Sequence, residues 1–146
     1  MMIKRRLALV LCGALVIGGA AMPSPAAAQP TDFVVFFESG STHLGHPGTA
    51  VVARAAAAVK AALAKVLGSH VKVIGYSDTT GADDAAQRLS EKRAAAVRDA
   101  LVRDGVEAAK IGTEGRGKSE LAVPTPDRTR EPRNRRARIV VYGPND

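Results

Sequence analysis

Tryptophan is absent from this 146-residue chain, aromatic residues make up 3% of it, and its single cysteine, Cys12, lies close to the N-terminus. Each shortage excludes something. Without aromatic platforms the bases of a single-stranded nucleic acid have nothing to stack on, so the basic run RNRRAR at Arg133 to Arg138 reads as a solvated charged stretch and no nucleic-acid partner is expected. One cysteine cannot form a disulfide framework. His43, His46 and His70 are scattered without metal-ligand spacing, so neither a metal nor another cofactor is expected. No nucleophile, base and orienting group fall into a set, and nothing points to an enzyme. With so few aromatics, a core must rest on Val, Leu, Ile and Ala.

The first 28 residues differ from the rest. MMIKRR is basic through Lys4, Arg5 and Arg6, an apolar run follows from Leu7 to Met22, and small residues end at Ala26, Ala27 and Ala28. These are the three parts of a cleavable secretory signal peptide. The run is short for a membrane span of about 20 apolar residues, so no stable membrane insertion is expected once it is removed. Leu11 is too large to precede a lipidated cysteine, which leaves Cys12 as a passive apolar residue. The full chain carries 21 Lys+Arg against 14 Asp+Glu; losing Lys4, Arg5 and Arg6 leaves 18 against 14, a net charge of +4. Residues 29–146 suffice for one domain with a workable core.

Turn chemistry and periodicity divide that domain. Asp32 to Phe37 is a β-branched and aromatic run, read as a strand. Pro47 suits the first turn of a helix, and Val52, Val59, Leu63 and Val66 keep helical spacing to Leu67, with Gly68 as the expected cap. Val71 to Tyr76 is a second strand and Asp83 to Asp104 a second helix, stopped by Gly105. Ala109 to Gly115 reads as a third strand, and Leu121 to Pro132, with three prolines, as a long ordered loop. In the last strand Ala137, Ile139 and Val141 alternate with Arg136, Arg138 and Val140, so one face is buried and the arginines are expected in solvent. Strands alternating with helices predict an α/β sandwich with one sheet.

The stretch from Gly75 to Ala94, GYSDTTGADDAAQRLSEKRA, organises the chain. Leu89, Arg93, Val97 and Leu101 share one helical face, so Arg93 falls in the stripe that should be buried. A guanidinium stays charged and is costly to bury without acceptors. Asp78, at the end of the preceding strand, folds back towards the helix start. Two readings stand: a structural Asp78–Arg93 ion pair that closes the turn, or a site with one group of each sign for a ligand carrying both.

G-Y-S-D-T-T-G followed by L-S-E-K-R-A resembles the signature of OmpA-like peptidoglycan-binding domains. The likeness continues through Leu101, Gly105, Val106, Ile111, the G-R-G-K at Gly115 to Lys118, VPTPDRTREP, and N-R-R-A-R-I at Asn134 to Ile139; DFVVFFESGSTHL resembles the family's first strand and loop. It spans about Asp32 to Val141. The resemblance implies a two-layer α/β (α+β) sandwich, a β-α-β-α-β-β mixed sheet with both long helices on one face, with its core at residues 32–142. It implies a periplasmic protein of a Gram-negative bacterium, associated with the cell wall or outer membrane, that binds peptidoglycan through the diaminopimelate of the stem peptide. Asp78 would accept the ammonium and Arg93 would fork onto a carboxylate, helped by free N–H groups at the helix start. Glu38, Ser39, Ser41, Thr79, Leu89 and Arg135 would line or flank that site. Ala86 stands where relatives usually carry Asn. That departure keeps a second expectation open, a module of the same fold that binds an envelope protein in place of the wall.

Overall fold

The computed structural model describes residues 32–146, so the expected signal peptide, residues 1–28, lies outside the described residues. The elements run β1 (Asp32–Phe36), α1 (His46–Lys65), β2 (His70–Gly75), α2 (Asp83–Arg103), a 3-10 turn (Ala108–Lys110), β3 (Ile111–Gly115), a second 3-10 turn (Pro132–Asn134) and β4 (Arg136–Tyr142). They form one four-stranded sheet in the order β1-β4-β2-β3. β4 is antiparallel to both β1 and β2, and β2 is parallel to β3. This is the expected β-α-β-α-β-β mixed sheet. No helix among the described residues is long and apolar enough to cross a membrane.

Alternation decides which face the helices cover. Val35, Val71, Val73, Ala137 and Ile139 lie on one side of the sheet and join Val52, Ala55, Val59, Ala94, Val97 and Leu101 of the two helices in one cluster. Each buried Val, Leu or Ile contributes roughly 1.5–3 kcal/mol, so aliphatic packing carries a core almost free of aromatics. α2 ends as its sequence predicts. Gly105 takes φ +92°; its N–H donates to the Val102 carbonyl, and the Val106 N–H donates to the Leu101 carbonyl, both at 3.0 Å. That is a Schellman closure, which needs a residue at ease in the left-handed region.

Apart from shifts of one residue in β1 and β2, the end of α1 and the start of β3 differ from expectation. α1 stops at Lys65, with extended Val66 as its cap. Gly68, φ +83°, serves the following turn, not the helix cap. The first residues expected in β3 form the 3-10 turn, because Ile111 is the first whose partner lies on β2. Leu89 is half-buried, and Ser90 takes the fully buried position beside Arg93.

Ser90 marks where the layers meet most closely. A Cβ on Gly75 would lie 1.9 Å from the Ser90 carbonyl oxygen, and one on Gly115 would lie 2.7 Å from Ser90 Oγ. Ser90 Oγ also accepts the Gly117 N–H at 2.9 Å, tying the turn after β3 to the helix. Gly75→Ala must push strand and helix apart, against backbone that cannot give way. It is expected to cost about 3 kcal/mol, at the upper end of overpacking penalties. A lowered urea midpoint with unchanged slope checks this; an unchanged midpoint contradicts it.

Candidate functional site

The site is built where β1 and β2 end and their loops turn towards the helices. Arg93 comes from the middle of α2 and is fully buried. Its Nε donates to the Ser41 carbonyl (3.0 Å), Nη1 to the Tyr76 carbonyl (3.0 Å) and Nη2 to the Glu38 carbonyl (3.2 Å). The Phe37 ring lies 5.3 Å from the guanidinium carbon. One planar group thus gathers the β1–α1 loop and the end of β2 onto α2. Burial pushes the Arg93 pKa down to about 10, opposed by the nearby charge of Asp78; the group stays protonated at neutral pH.

Asp78 does not pair with Arg93. Its carboxylate, 2% exposed, accepts from the Thr80 hydroxyl (2.6 Å) and N–H (3.3 Å) through Oδ1, and from Arg135 Nη1 (3.3 Å) through Oδ2. The expected structural Asp78–Arg93 bridge is replaced by an Asp78–Arg135 pair. The reason is geometric: backbone carbonyls already occupy each nitrogen of Arg93, whereas Arg135, from the turn before β4, approaches Asp78 directly. Arg135 is 8% exposed and also donates from Nε to the Phe37 carbonyl at 3.0 Å. Burial pushes the Asp78 pKa up, but the hydrogen bonds from Thr80 and Arg135 outweigh it and hold the carboxyl below its ordinary range.

The remaining expected residues separate into two groups. Glu38 and Ser39 are exposed on the β1–α1 loop, and Ser41 is half-buried beside them. Thr79 is buried, with its hydroxyl occupied: it donates to the Pro126 carbonyl (2.7 Å) and accepts the Thr129 N–H (3.1 Å). Together with the Arg128 N–H to Thr79 carbonyl bond at 2.8 Å, this ties the proline-rich loop to the β2–α2 corner. Asn134 clamps the same loop further on, exchanging bonds with the Val123 carbonyl (2.8 Å) and N–H (2.9 Å). Leu89 contributes no polar group. Ala86 is buried in the first turn of α2.

Arg136 departs from its expected place in solvent. It is buried, with its guanidinium carbon 3.9 Å from the Tyr76 ring centre. Its Nη2 donates to the Glu120 carbonyl at 3.1 Å, so the segment after β3 covers the end of the helix-free face where alternation predicts water. Arg138 keeps partial exposure and pairs with Asp32.

Two open cavities flank the buried pair. One, of about 350 Å³, lies against Thr80, Asp83, Lys118 and Arg128 at the start of α2. The other, of about 230 Å³, lies against Glu38, His43, Pro132 and Arg135. Among the described residues no group of three His, Cys, Asp or Glu could hold a metal ion. The arrangement offers fixed charge of both signs beside loops of free polar groups, which suits a ligand with an ammonium and a carboxylate.

Acid should weaken this structure in a defined window. Hydrogen bonds from Arg116 and Lys72 hold the Glu114 pKa down to about 2, and Asp78 is also depressed. A depressed carboxylate stabilises the fold fully above its unfolded pKa, about 4, and the effect is lost as pH falls through the folded value. The melting temperature is therefore expected to hold between about pH 7 and 5 and to fall below about pH 4. Glu114→Gln should flatten the lowest part of that curve; a decline beginning near neutral pH contradicts it.

A mixed four-stranded sheet with both helices on one face is the fold of an OmpA-like domain. The chain belongs to the OmpA family, whose profile matches residues 36–135. It is 33% identical over 126 residues to an outer membrane protein of Gluconacetobacter diazotrophicus, covering 82% of this chain and 31% of that protein. The structure is similar to the peptidoglycan-associated lipoprotein from Burkholderia pseudomallei (TM-score 0.67, 27% identity, 75% of this chain and 90% of that one). It is also similar to the cell wall anchor of the T6SS from Pseudomonas aeruginosa (TM-score 0.58, 28% identity, 77% and 82%). The chain spans about a third or less of the curated relatives it matches.

Proposed function

We propose that this domain binds peptidoglycan non-covalently, holding the diaminopimelate of the stem peptide at the loop end of the sheet, and that it acts in the periplasm as a wall-attachment module without catalysis. The observation that carries this reading is the buried Asp78–Arg135 pair beside Arg93. The ammonium of the diamino acid goes to Asp78, and its carboxylate meets the guanidinium side of the site, with Glu38, Ser39 and Ser41 as the flanking loop. Arg93 holds that loop and shares its positive charge with the ligand; a ligand oxygen reaches it by displacing a loop carbonyl. Membership of the OmpA family and likeness to two solved proteins whose names refer to the wall support the class of ligand.

The test is co-sedimentation with purified diaminopimelate-containing sacculi. The protein is expected in the pellet, and free meso-diaminopimelate is expected to release it while cadaverine, which has the two amines and no carboxylate, does not. Protein that stays in the supernatant would favour the module that binds an envelope protein. Protein that pellets and ignores free diaminopimelate would move wall binding to another surface.

A further inference from the structure

We propose that the cavity at the free edge of β1 is a second subsite, which takes a small residue with a terminal carboxylate attached to the diamino acid: the next residue of the stem peptide. It rests on the reading of Asp78 and Arg135 given above. β1 is an edge strand. The Phe37 N–H donates to the Arg135 carbonyl at 2.8 Å, and the register sets Phe36 against Arg136. Alternation along an antiparallel ladder then turns the N–H and C=O of Phe36 away from β4, towards the open edge. An extended peptide can pair with such groups, as strands added to sheet edges do.

The side chains around that edge match one chemistry. The cavity of about 230 Å³ lies between the end of β1, the start of α1 and the turn at Pro132, and is lined by Phe36, Phe37, Pro47 and Pro132 with Arg135 at one wall. Phe36 is 56% exposed, a large apolar surface left uncovered. Arg135 spends Nε on the Phe37 carbonyl and Nη1 on Asp78, and its Nη2 makes no hydrogen bond among the described residues. Unlike Arg136 Nη1, that nitrogen is not sealed from solvent. A guanidinium donor offered beside apolar walls and a free strand edge fits a carboxylate on a short apolar residue, at the end of a peptide. The shared Arg135 sets the subsite next to the group that holds the ammonium. The volume leaves ample room for one small residue together with its terminal carboxylate.

The experiment is calorimetric titration of the domain with two soluble muropeptides. One is a disaccharide-tripeptide ending in the diamino acid; the other is a disaccharide-tetrapeptide that adds one D-alanine. Wild type is expected to bind the tetrapeptide at least fivefold more tightly. Gly45 lies at this cavity with φ −59° and ψ 173°, and a Cβ there would meet only Pro47 Cδ at 3.7 Å. Gly45→Leu should therefore put apolar bulk at the cavity with no clash at its Cβ. It is expected to remove the preference while keeping tripeptide affinity, with a melting temperature lower by a few degrees because Gly45 caps α1 and leucine is a poor cap, and Phe36→Ser should reduce the preference. Equal affinities in wild type, or a preference that survives Gly45→Leu, would overturn the subsite alone. Failure of both muropeptides to bind overturns the reading of the site, and this subsite with it.

Discussion

Arg93→Ala is expected to lower the melting temperature by roughly 15 °C, the largest loss from any single substitution at the site. The carbonyls of Ser41 and Tyr76 lose their donors together while the fold still encloses them, and the Glu38 carbonyl keeps only the Ser41 N–H. A buried acceptor left unpaired costs about 1–3 kcal/mol, and truncating a fully buried side chain adds a cavity penalty. The sum exceeds about 4 kcal/mol, a large part of the 5–15 kcal/mol that holds a domain together, and for a domain of this size each kcal/mol is worth roughly 4 °C. Arg93→Lys should fall between, because an ammonium cannot spread its donors over the plane that a guanidinium spans. Thermal melts of the three proteins decide this. If Arg93→Ala melts within a few degrees of wild type, the loop is held by something else.

The second large effect is on binding. Asp78→Asn keeps the size of the side chain and an acceptor for Thr80, and removes the charge that faces Arg135. Stability should fall by less than in Arg93→Ala, since Arg135 keeps the Phe37 carbonyl. Affinity for sacculi should drop at least tenfold, because a charge-assisted hydrogen bond to the ligand ammonium is worth about 1.5–3 kcal/mol. A direct Asp78–Arg93 pair would give the opposite order of stabilities, with Asp78 as the counter-charge of Arg93. The order reverses because backbone carbonyls, not a carboxylate, neutralise Arg93. Co-sedimentation beside thermal melts separates the two effects; a folded Asp78→Asn protein that pellets like wild type removes Asp78 from the site.

The parts of the fold that depend on local chemistry are legible in the chain. The β2–turn–α2 unit follows from VKVIGY, the turn residues and the helical spacing, and Gly105 marks the end of α2 because a Schellman closure needs it there. The burial of Arg93 is legible from its place in the stripe. Its acceptors are not, since a backbone carbonyl leaves no signature in sequence and two of these come from a loop some fifty residues away. Arg135 meets Asp78 across 57 residues, through a turn whose direction depends on the clamp between Asn134 and Val123. Arg136 is misread for a related reason. Alternation in β4 describes the strand by itself, whereas the segment carrying Glu120 covers that face and Tyr76 stacks under the guanidinium. The glycines at 75 and 115 are visible as residues, but only the approach of Ser90 shows that no other side chain fits there.

The most direct measurement is a pair of calorimetric titrations of the same purified domain, residues 29–146. One uses a stem tripeptide ending in meso-diaminopimelate, the other the same tripeptide ending in lysine. The two ligands share length and the side-chain amine and differ in the carboxylate beside it. Binding of the first, with at least tenfold weaker or undetectable binding of the second, is the expected result, since only the first carries a carboxylate on the same carbon as the side-chain ammonium, close enough for both to meet the Asp78–Arg135 pair. Equal affinity for the two, or heat from neither, would contradict a diaminopimelate site at this end of the sheet.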